Sequence, residues 1–180
     1  MKNKIIIVLF IIGIILFGWM NLFYIPAEEK AMEEETIQQL NPETHDFSKV
    51  LAYENRYMGN LTNNAKLFQS LPLQNYLNGY EQDSKIHLLI VNYKDLEGLP
   101  QQHIQKSIIY NTTAAFVLIK NLEQIELRFP TESFFVKREN VERVLGDLEV
   151  LLDPEVFEEQ VQSPLNNAVL EEWIVQYTSI

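Results

Sequence analysis

Acidic side chains are the residues in this sequence whose type and spacing come nearest to doing chemistry. Glu158 is followed directly by Glu159, and Glu171 by Glu172. Glycoside hydrolysis needs two carboxylates that face each other across about 5–9 Å. Both pairs fall in segments that we predict to be helical, where adjacent side chains point apart. A hydrolase that uses Asp and Glu therefore stays open as an alternative function.

The sequence contains no recognisable motif for a metal, a nucleotide or an activated nucleophile. Its histidines, none at the spacing of a zinc motif such as H-E-x-x-H, are His45, His87 and His103. No G-x-S-x-G elbow, Walker loop or dinucleotide fingerprint occurs. Asp147, Glu149 and Asp153 could offer oxygen ligands to calcium, but they lack the spacing of an EF-hand loop. We predict no metal, no cofactor and no enzymatic activity, and structural roles for the histidines.

The N-terminal segment predicts a membrane anchor. Residues 5–25 carry no charged side chain, and a helix of this length covers roughly 30 Å, the thickness of a bilayer core. Lys2 and Lys4 precede the segment, so the positive-inside rule places residues 1–4 in the cytoplasm and the rest of the chain outside, as a single-pass cell-membrane protein. The alternative is a cleaved signal peptide, which normally has a shorter apolar region and a small-x-small cleavage site.

Composition restricts the partners of the exported part. Without Lys2 and Lys4 it has 12 basic and 25 acidic residues, a net charge of −13. Such a surface repels nucleic acid and anionic lipid headgroups. The chain has no cysteine, which excludes disulfides and a lipidated cysteine anchor. We predict membrane attachment through the N-terminal helix, no nucleic-acid partner, and a membrane or cell-wall protein as a possible partner.

An acidic stalk is predicted between the anchor and the folded domain. Residues 26–46 are polar and acidic, and a helix in this segment would end near Leu40, because Asn41-Pro42 follows. His45 falls within the stalk. The extracytoplasmic domain is then residues 47–180.

The domain shows the apolar patterns of an α+β fold. Strands are predicted over 86–93, 124–129 and 133–137, with an amphipathic helix between the first two, over 104–122. Because a strand–helix–strand crossover places its strands side by side and parallel, the prediction is a small three-stranded mixed sheet packed with helices. A last helix is predicted to carry one apolar face, formed by Leu165, Val169, Trp173, Ile174 and Tyr177.

One stretch, YENRYMGNLTNNAKLFQSLPL, concentrates aromatic, amide and glycine residues. Gly59 and Asn60 favour a turn, since both tolerate a positive φ. Thr62 or Asn63 would then cap a short helix. The amides are therefore interpreted mainly as helix punctuation.

Arg56 in the same stretch is a lone cation between Tyr53 and Tyr57. It could stack on these rings or pair with a carboxylate of the domain itself, and both are structural roles. A contact with a ligand or a partner protein is the alternative.

This stretch, the strand LLIVNY and the segment IIYNTTAAFVLIKNLEQIELRF together resemble an uncharacterised exported domain of Gram-positive bacteria. The pattern of that domain falls on Tyr57, Gly59, Asn60, Leu71, Pro72, Asn92, Tyr93, Tyr110, Asn111, Phe116, Ile119, Asn121 and Leu122. The turn lacks the usual Asp and Ser of the family. Such domains are membrane-anchored or lipoprotein extracellular modules, some of them appended to sensor peptidases of the beta-lactam-receptor type. The resemblance implies no catalytic residue, and without a metallopeptidase motif it implies no peptidase activity.

We therefore expect an extracytoplasmic module that binds a protein or a ligand in envelope sensing or regulation. An envelope hydrolase and a structural assembly factor are the alternatives. The candidate binding residues are Tyr57, Gly59, Asn60, Asn92, Tyr110 and Asn111. Several could instead be framework; Asn111, in mid-helix, could tie down the backbone of a neighbouring loop.

Overall fold

The chain folds into two compact units. The structure is a computed structural model that describes residues 2–166 and 170–178. One unit is Met1–Ile37, and the other is Gln38–Ile180. The second unit therefore begins before Phe47, the start that the sequence predicted for the folded domain.

The N-terminal apolar segment is helical. Helix α1 spans Lys2–Trp19, a π turn follows at Met20–Tyr24, and helix α2 spans Ile25–Leu40. Within the helical stretch Leu9–Leu40, an 18-residue window has a mean hydropathy of 2.0, and none of that window is buried. Among the described residues, this is the one helix long and apolar enough to cross a membrane. Its orientation and its retention in the mature protein stay predictions.

Short helices make up much of the second unit. Its α-helices are α3, Leu61–Phe68; α4, Gln101–Leu118; α5, Arg138–Leu145; α6, Pro154–Phe157; and α7, Leu170–Thr178. Single 3₁₀ turns lie at Phe47–Tyr53, Gln74–Tyr76, Leu148–Leu152 and Ser163–Asn166, and a π turn lies at Glu158–Gln162. Helix α6 begins at an Asp-Pro pair, where the Asp153 carboxylate accepts from the backbone N–H of Glu155 at 2.9 Å.

The sheet has four strands, and the prediction of three was wrong. They are β1, Leu77–Asp83; β2, Leu88–Tyr93; β3, Gln124–Arg128; and β4, Ser133–Lys137. The spatial order is β1-β2-β3-β4, with β2 and β3 parallel and the two outer pairs antiparallel. The parallel pairing across α4 and the β3–β4 hairpin agree with the sequence pattern.

Strand β1 was missed because its own residues do not indicate a strand. Its sequence, LNGYEQD, has no regular apolar alternation, and asparagine and glycine are depleted in strands. Gly79 has a φ of 142° and lies where the register with β2 shifts, a conformation that glycine adopts without steric cost. Pairing with the apolar strand β2 stabilises β1, and local sequence does not report such pairing.

Helix α4 is the central helix of the core, and the prediction that it is amphipathic was wrong. Every residue from Ser107 to Leu118 is buried, because α4 lies in the hydrophobic core and contacts α7 and several of the short turns. The predicted helix also extended too far, to Leu122. Arg138 explains the earlier end, since its guanidinium donates to the carbonyl oxygens of Phe116, Ile119 and Leu122 at 2.7–2.8 Å.

Two predictions about helix ends need correction. Helix α3 is capped by Asn60, whose side chain accepts from the backbone N–H of Asn63 at 3.1 Å, and not by Thr62 or Asn63. Of the predicted last helix, Ser163–Asn166 is a 3₁₀ turn and not α-helix, and α7 covers Leu170–Thr178. Leu165, Ile174 and Tyr177 of its apolar face are buried, and Val169 lies outside the described residues.

The segment after α2 belongs to the folded unit and not to a stalk. His45 is only 2% exposed. The Gln162 side chain donates to the carbonyl oxygens of Pro42 and His45 at 3.1 and 3.0 Å, and Lys106 on α4 pairs with Glu43. These partners lie far away in sequence, which is why the polar composition of residues 41–46 suggested a solvated linker.

Candidate functional site

The structure does not bring the six predicted binding residues together. Tyr110 and Asn111 are fully buried in α4, and Asn92 lies on β2, where its amide donates to Glu81 at 3.1 Å. The other three, in the loop before α3, are Tyr57, Gly59 and Asn60. The set therefore splits between the core, the sheet and one exposed loop.

Asn111 ties down a neighbouring loop. Its Nδ2 donates to the carbonyl oxygen of Pro72 at 2.7 Å, in a fully buried position. The next residue, Leu73, has a φ of 67°, which is strained for a bulky side chain. The bond therefore holds the Leu-Pro turn in a conformation that the chain would not adopt alone.

Tyr110 belongs to a buried polar network with His45. The Tyr110 hydroxyl lies 2.7 Å from His45 Nδ1, and His45 Nε2 lies 2.7 Å from the carbonyl oxygen of Ser70. A carbonyl only accepts, so Nε2 carries the proton and Nδ1 accepts from the tyrosine. Burial lowers the pKa of His45, and the Ser70 carbonyl and Asp46 oppose this only in part. The network is internal, so neither residue is available to a ligand.

The exposed loop is fixed first through Met58. The backbone N–H of Met58 donates to Asn121 Oδ1, and its carbonyl oxygen accepts from Asn64 Nδ2, both at 2.6 Å. The Met58 side chain is buried in the core. Asn121 follows α4 and Asn64 lies on α3, so two separate elements hold this one residue.

Asn55 fixes the preceding part of the loop. Its backbone N–H donates to Leu118 at 2.7 Å, and its carbonyl oxygen accepts from Lys120 at 3.0 Å, in an isolated parallel bridge. Its side-chain oxygen accepts from the backbone N–H of Tyr57 at 3.3 Å. Asn55 therefore holds loop backbone, whereas Asn60 caps a helix, the role that the sequence suggested for the amides. Gly59 is not among the glycines with positive φ, so the turn does not use that freedom.

Arg56 and Tyr57 lie between these ties and face outward. Arg56 is exposed, and Tyr57 is 61% exposed. Within the described part of the chain, Arg56 has neither of the structural contacts expected for it, a carboxylate partner or a stacked ring. The loop therefore presents an unpaired guanidinium and an aromatic ring on a backbone that is already fixed.

Arg56 also lines a cleft of about 690 Å³ beside the C-terminal end of α4. Its volume lies within the range of about 300–1,000 Å³ that is usual for ligand sites. The residues that line it are Glu54, Asn55, Arg56, Phe116, Val117, Lys120, Arg138, Glu142, Asp147, Leu148 and Glu149. We call this cavity the α4 cleft.

Most charged groups of the α4 cleft already have internal partners. Lys120 lies 3.6 Å from Glu54, and Arg138 lies 3.8 Å from Glu142. The Asp147 carboxylate accepts from the backbone N–H of Glu149 at 2.9 Å and so caps the turn Leu148–Leu152. Among the described residues, the charged side chains of the cleft without a recorded partner are those of Arg56 and Glu149.

The sequence did not indicate most of this site. Arg56 was noted, but Lys120, Arg138 and Glu149 come from three distant segments with no shared motif. The cluster at Asp147, Glu149 and Asp153 was noted only for calcium, and the two aspartates are helix caps. No group of three His, Cys, Asp or Glu residues that could hold a metal ion occurs among the residues described.

Comparison with known proteins shows that the chain belongs to a protein family. The family described as "Domain of unknown function (DUF4825)" matches residues 50–140, just over half of the chain. No curated protein and no solved structure matches. The matched range contains Arg56 and Tyr57, α4 and Arg138, and it ends before Glu149.

Proposed function

We propose that this chain, which belongs to the family of the domain of unknown function DUF4825, is a membrane-anchored extracytoplasmic module that binds another protein. The binding surface is the α4 cleft together with the loop that carries Arg56 and Tyr57. The observation that carries the proposal is a pair of exposed side chains that have no partner among the described residues, on a loop whose backbone is fixed on both sides.

A fixed backbone beneath exposed side chains favours binding for an energetic reason. Association has to order flexible loops and also side chains, the latter at a cost of about 0.5–1.5 kcal/mol each. Here Asn55, Asn64 and Asn121 have already ordered the backbone around Arg56 and Tyr57. Arginine and tyrosine are also the types most enriched among residues that dominate binding energy at protein interfaces.

The surroundings of the cleft favour a protein partner over a small ligand. Val150 follows the cleft residue Glu149 and is 47% exposed, as Tyr57 follows the cleft residue Arg56. Two residues that line the cleft are therefore each followed in sequence by an exposed apolar side chain. Interfaces between proteins combine such apolar contacts with a few charged anchors.

The predicted location supports the same function. The helical stretch Leu9–Leu40 is long and apolar enough to span a bilayer, and the positive-inside rule places the second unit outside the cytoplasm. A module held there can meet other membrane proteins or cell-wall proteins. A role in envelope sensing or regulation follows from this placement and is part of the proposal.

Site-specific crosslinking in living cells tests the proposal. A photoreactive benzoylphenylalanine replaces Tyr57 in the full-length anchored protein, and a matched control carries it at Ile86, which is 49% exposed and does not line the α4 cleft. We expect one dominant adduct from position 57 alone, and its loss when Arg56→Gln is added. Adducts that are the same from both positions, or an adduct that does not depend on Arg56, would contradict the proposal.

The hydrolase alternative is tested separately. The carboxylate pairs that suggested it, Glu158-Glu159 and Glu171-Glu172, are exposed on the surface. Turnover of an envelope polymer by residues 28–180, abolished by one Glu→Gln change, would favour that function.

A further inference from the structure

The α4 cleft contains two charges of opposite sign that no described residue pairs. Arg56 and Glu149 both line the cleft, and neither has a recorded ion-pair partner in the described part of the chain. The other charged groups there are paired or act as caps. A ligand that brought one charge alone would leave the second charge unmatched.

Both unpaired groups stand on short, fixed segments. Arg56 lies between the backbone ties of Asn55 and Met58. Glu149 lies in the first turn of the 3₁₀ segment Leu148–Leu152, which Asp147 caps. The distance between their backbone positions is therefore set by the fold, and a ligand that pairs with both must span it.

The apolar residues that line the cleft are buried beneath its surface. Phe116, Val117 and Leu148 are each no more than 5% exposed. The guanidinium of Arg138 covers the Phe116 ring at 5.3 Å. The groups that a ligand meets are therefore mainly the charged and polar ones.

We infer that the α4 cleft recognises a polypeptide segment that carries one acidic and one basic side chain, the acidic one pairing with Arg56 and the basic one with Glu149. This inference rests on the proposed function and names the chemistry of the partner. A polypeptide supplies both charges on long side chains at a fixed spacing. An acidic segment would meet Glu149, and a basic segment would meet Arg56, so either is disfavoured by like-charge contact.

Labelled peptides test the inference on the full-length chain in discs of uncharged lipid. The first probe is acetyl-Ala-Glu-Ala-Lys-Ala-amide, in which one alanine lies between Glu and Lys. In the two longer probes, two and four alanines lie between them. Each probe is compared with its Glu→Gln and Lys→Gln forms, and the dissociation constant is measured by fluorescence anisotropy. The protein variants are Arg56→Gln and Glu149→Gln, and Lys85→Gln removes a charge that does not line the cleft.

We expect each peptide charge to lose its effect on affinity only when its partner charge on the protein is removed. At one spacing, each peptide change weakens binding to the unmodified protein by about two- to fivefold, as expected for exposed ion pairs. The Glu→Gln peptide change has no further effect on Arg56→Gln, and the Lys→Gln peptide change has none on Glu149→Gln. Lys85→Gln behaves like the unmodified chain.

Three outcomes would overturn the inference: no binding at any spacing, equal binding of charged and neutral peptides, or charge effects that persist in the matched variants. The crosslink from position 57 separates this failure from that of the proposed function. If an adduct that depends on Arg56 forms while the peptides fail, the cleft binds a protein by other chemistry. If neither is seen, both proposals fail.

Discussion

Two arginines line the same cleft and differ in almost every contact. The Arg138 side chain is 13% exposed; it donates to three backbone carbonyl oxygens after and within α4, lies over Phe116 and pairs with Glu142. Arg56 is exposed and has no such partner among the described residues. Burial lowers the pKa of Arg138, and nearby Glu123 and Glu142 partly offset this.

The difference separates framework from contact surface. Arg138 donates to carbonyl groups at and just after the end of α4, so its guanidinium makes its bonds inside the fold. Around Arg56, asparagine side chains bind the backbone instead, and the guanidinium has no partner among the described residues. An arginine can therefore either stabilise the cleft or remain exposed for a ligand. Which of the two it does depends on whether it or its neighbours bind the nearby backbone groups.

Replacing Arg138 should have the largest effect on stability. Arg138→Ala removes a largely buried cation and the side-chain donor to the carbonyl oxygens of Phe116, Ile119 and Leu122, of which Ile119 keeps the backbone N–H of Leu122 as a donor. We expect a loss of about 3–5 kcal/mol in the free energy of unfolding, measured by urea denaturation of residues 28–180. The control is Arg143→Ala on the same helix α5, an exposed position where the loss should be under about 0.5 kcal/mol. Similar losses for both variants would contradict the framework role of Arg138.

Asn111 tests whether a predicted binding residue is framework as well. Asn111→Ala removes the buried bond to Pro72, and we expect a loss of about 2–3 kcal/mol in the same measurement. The comparison is Asn60→Ala, which removes an exposed helix cap and should cost about 1 kcal/mol. If Asn111→Ala unfolded like the unmodified protein but lost the crosslink at position 57, the binding role expected from the family resemblance would return.

Local pattern was enough for those parts of the fold in which neighbours in sequence determine the structure. The apolar run of β2, the alternation in β3 and the cap at Asp153 all indicate their elements without outside help. Strand β1 was not predictable in this way, because pairing with β2 holds its Gly79 bulge in place. His45 was placed in a stalk for the same reason, since its partners Tyr110 and Gln162 are remote in sequence.

The candidate site was predictable only in its outline. The interpretation of the amide-rich stretch as helix punctuation holds for Asn60, which caps α3, whereas Asn55 and Asn64 bind the backbone of the loop. Arg56 was noted as a lone cation. Whether it has a partner depends on where every carboxylate lies in space, which no spacing in one sequence reports. Of the six predicted residues, Tyr110 and Asn111 look functional in sequence because polar side chains in an apolar helix are unusual, yet their hydrogen bonds face inward.

Acidification should weaken the buried network more than the exposed loop. The pKa of His45 is lowered in the folded state, so between about pH 6.5 and that lower value the unfolded chain binds more protons. Stability is then full above about pH 6.5 and falls as the pH drops through the folded pKa, by up to about 1.4 kcal/mol per pH unit. Burial also lowers the pKa of His103, which adds in the same direction.

Urea denaturation at pH 7.5, 6.5 and 5.5 measures this dependence. His45→Gln should reduce the slope of stability against pH over that range, and His103→Gln should reduce it less, since His103 is only partly buried. A slope that His45→Gln leaves unchanged would show that other groups carry the dependence.

The smallest effect on stability should come with the largest effect on binding. Arg56→Ala removes an exposed side chain that has no recorded partner, so we expect the free energy of unfolding to change by less than about 0.5 kcal/mol. The bonds of Asn55 and Asn121 involve the backbone of neighbouring residues and survive the change. The crosslink from position 57 should nevertheless be lost, because the charged anchor is gone while the loop is intact.

Arg56→Lys refines the result: a lysine keeps the charge but lacks the planar fork that binds a carboxylate through two bonds, so it should restore only part of the crosslink. If Arg56→Ala destabilised the fold as Arg138→Ala does, the guanidinium would have a structural partner, and the contrast between the two arginines would not hold.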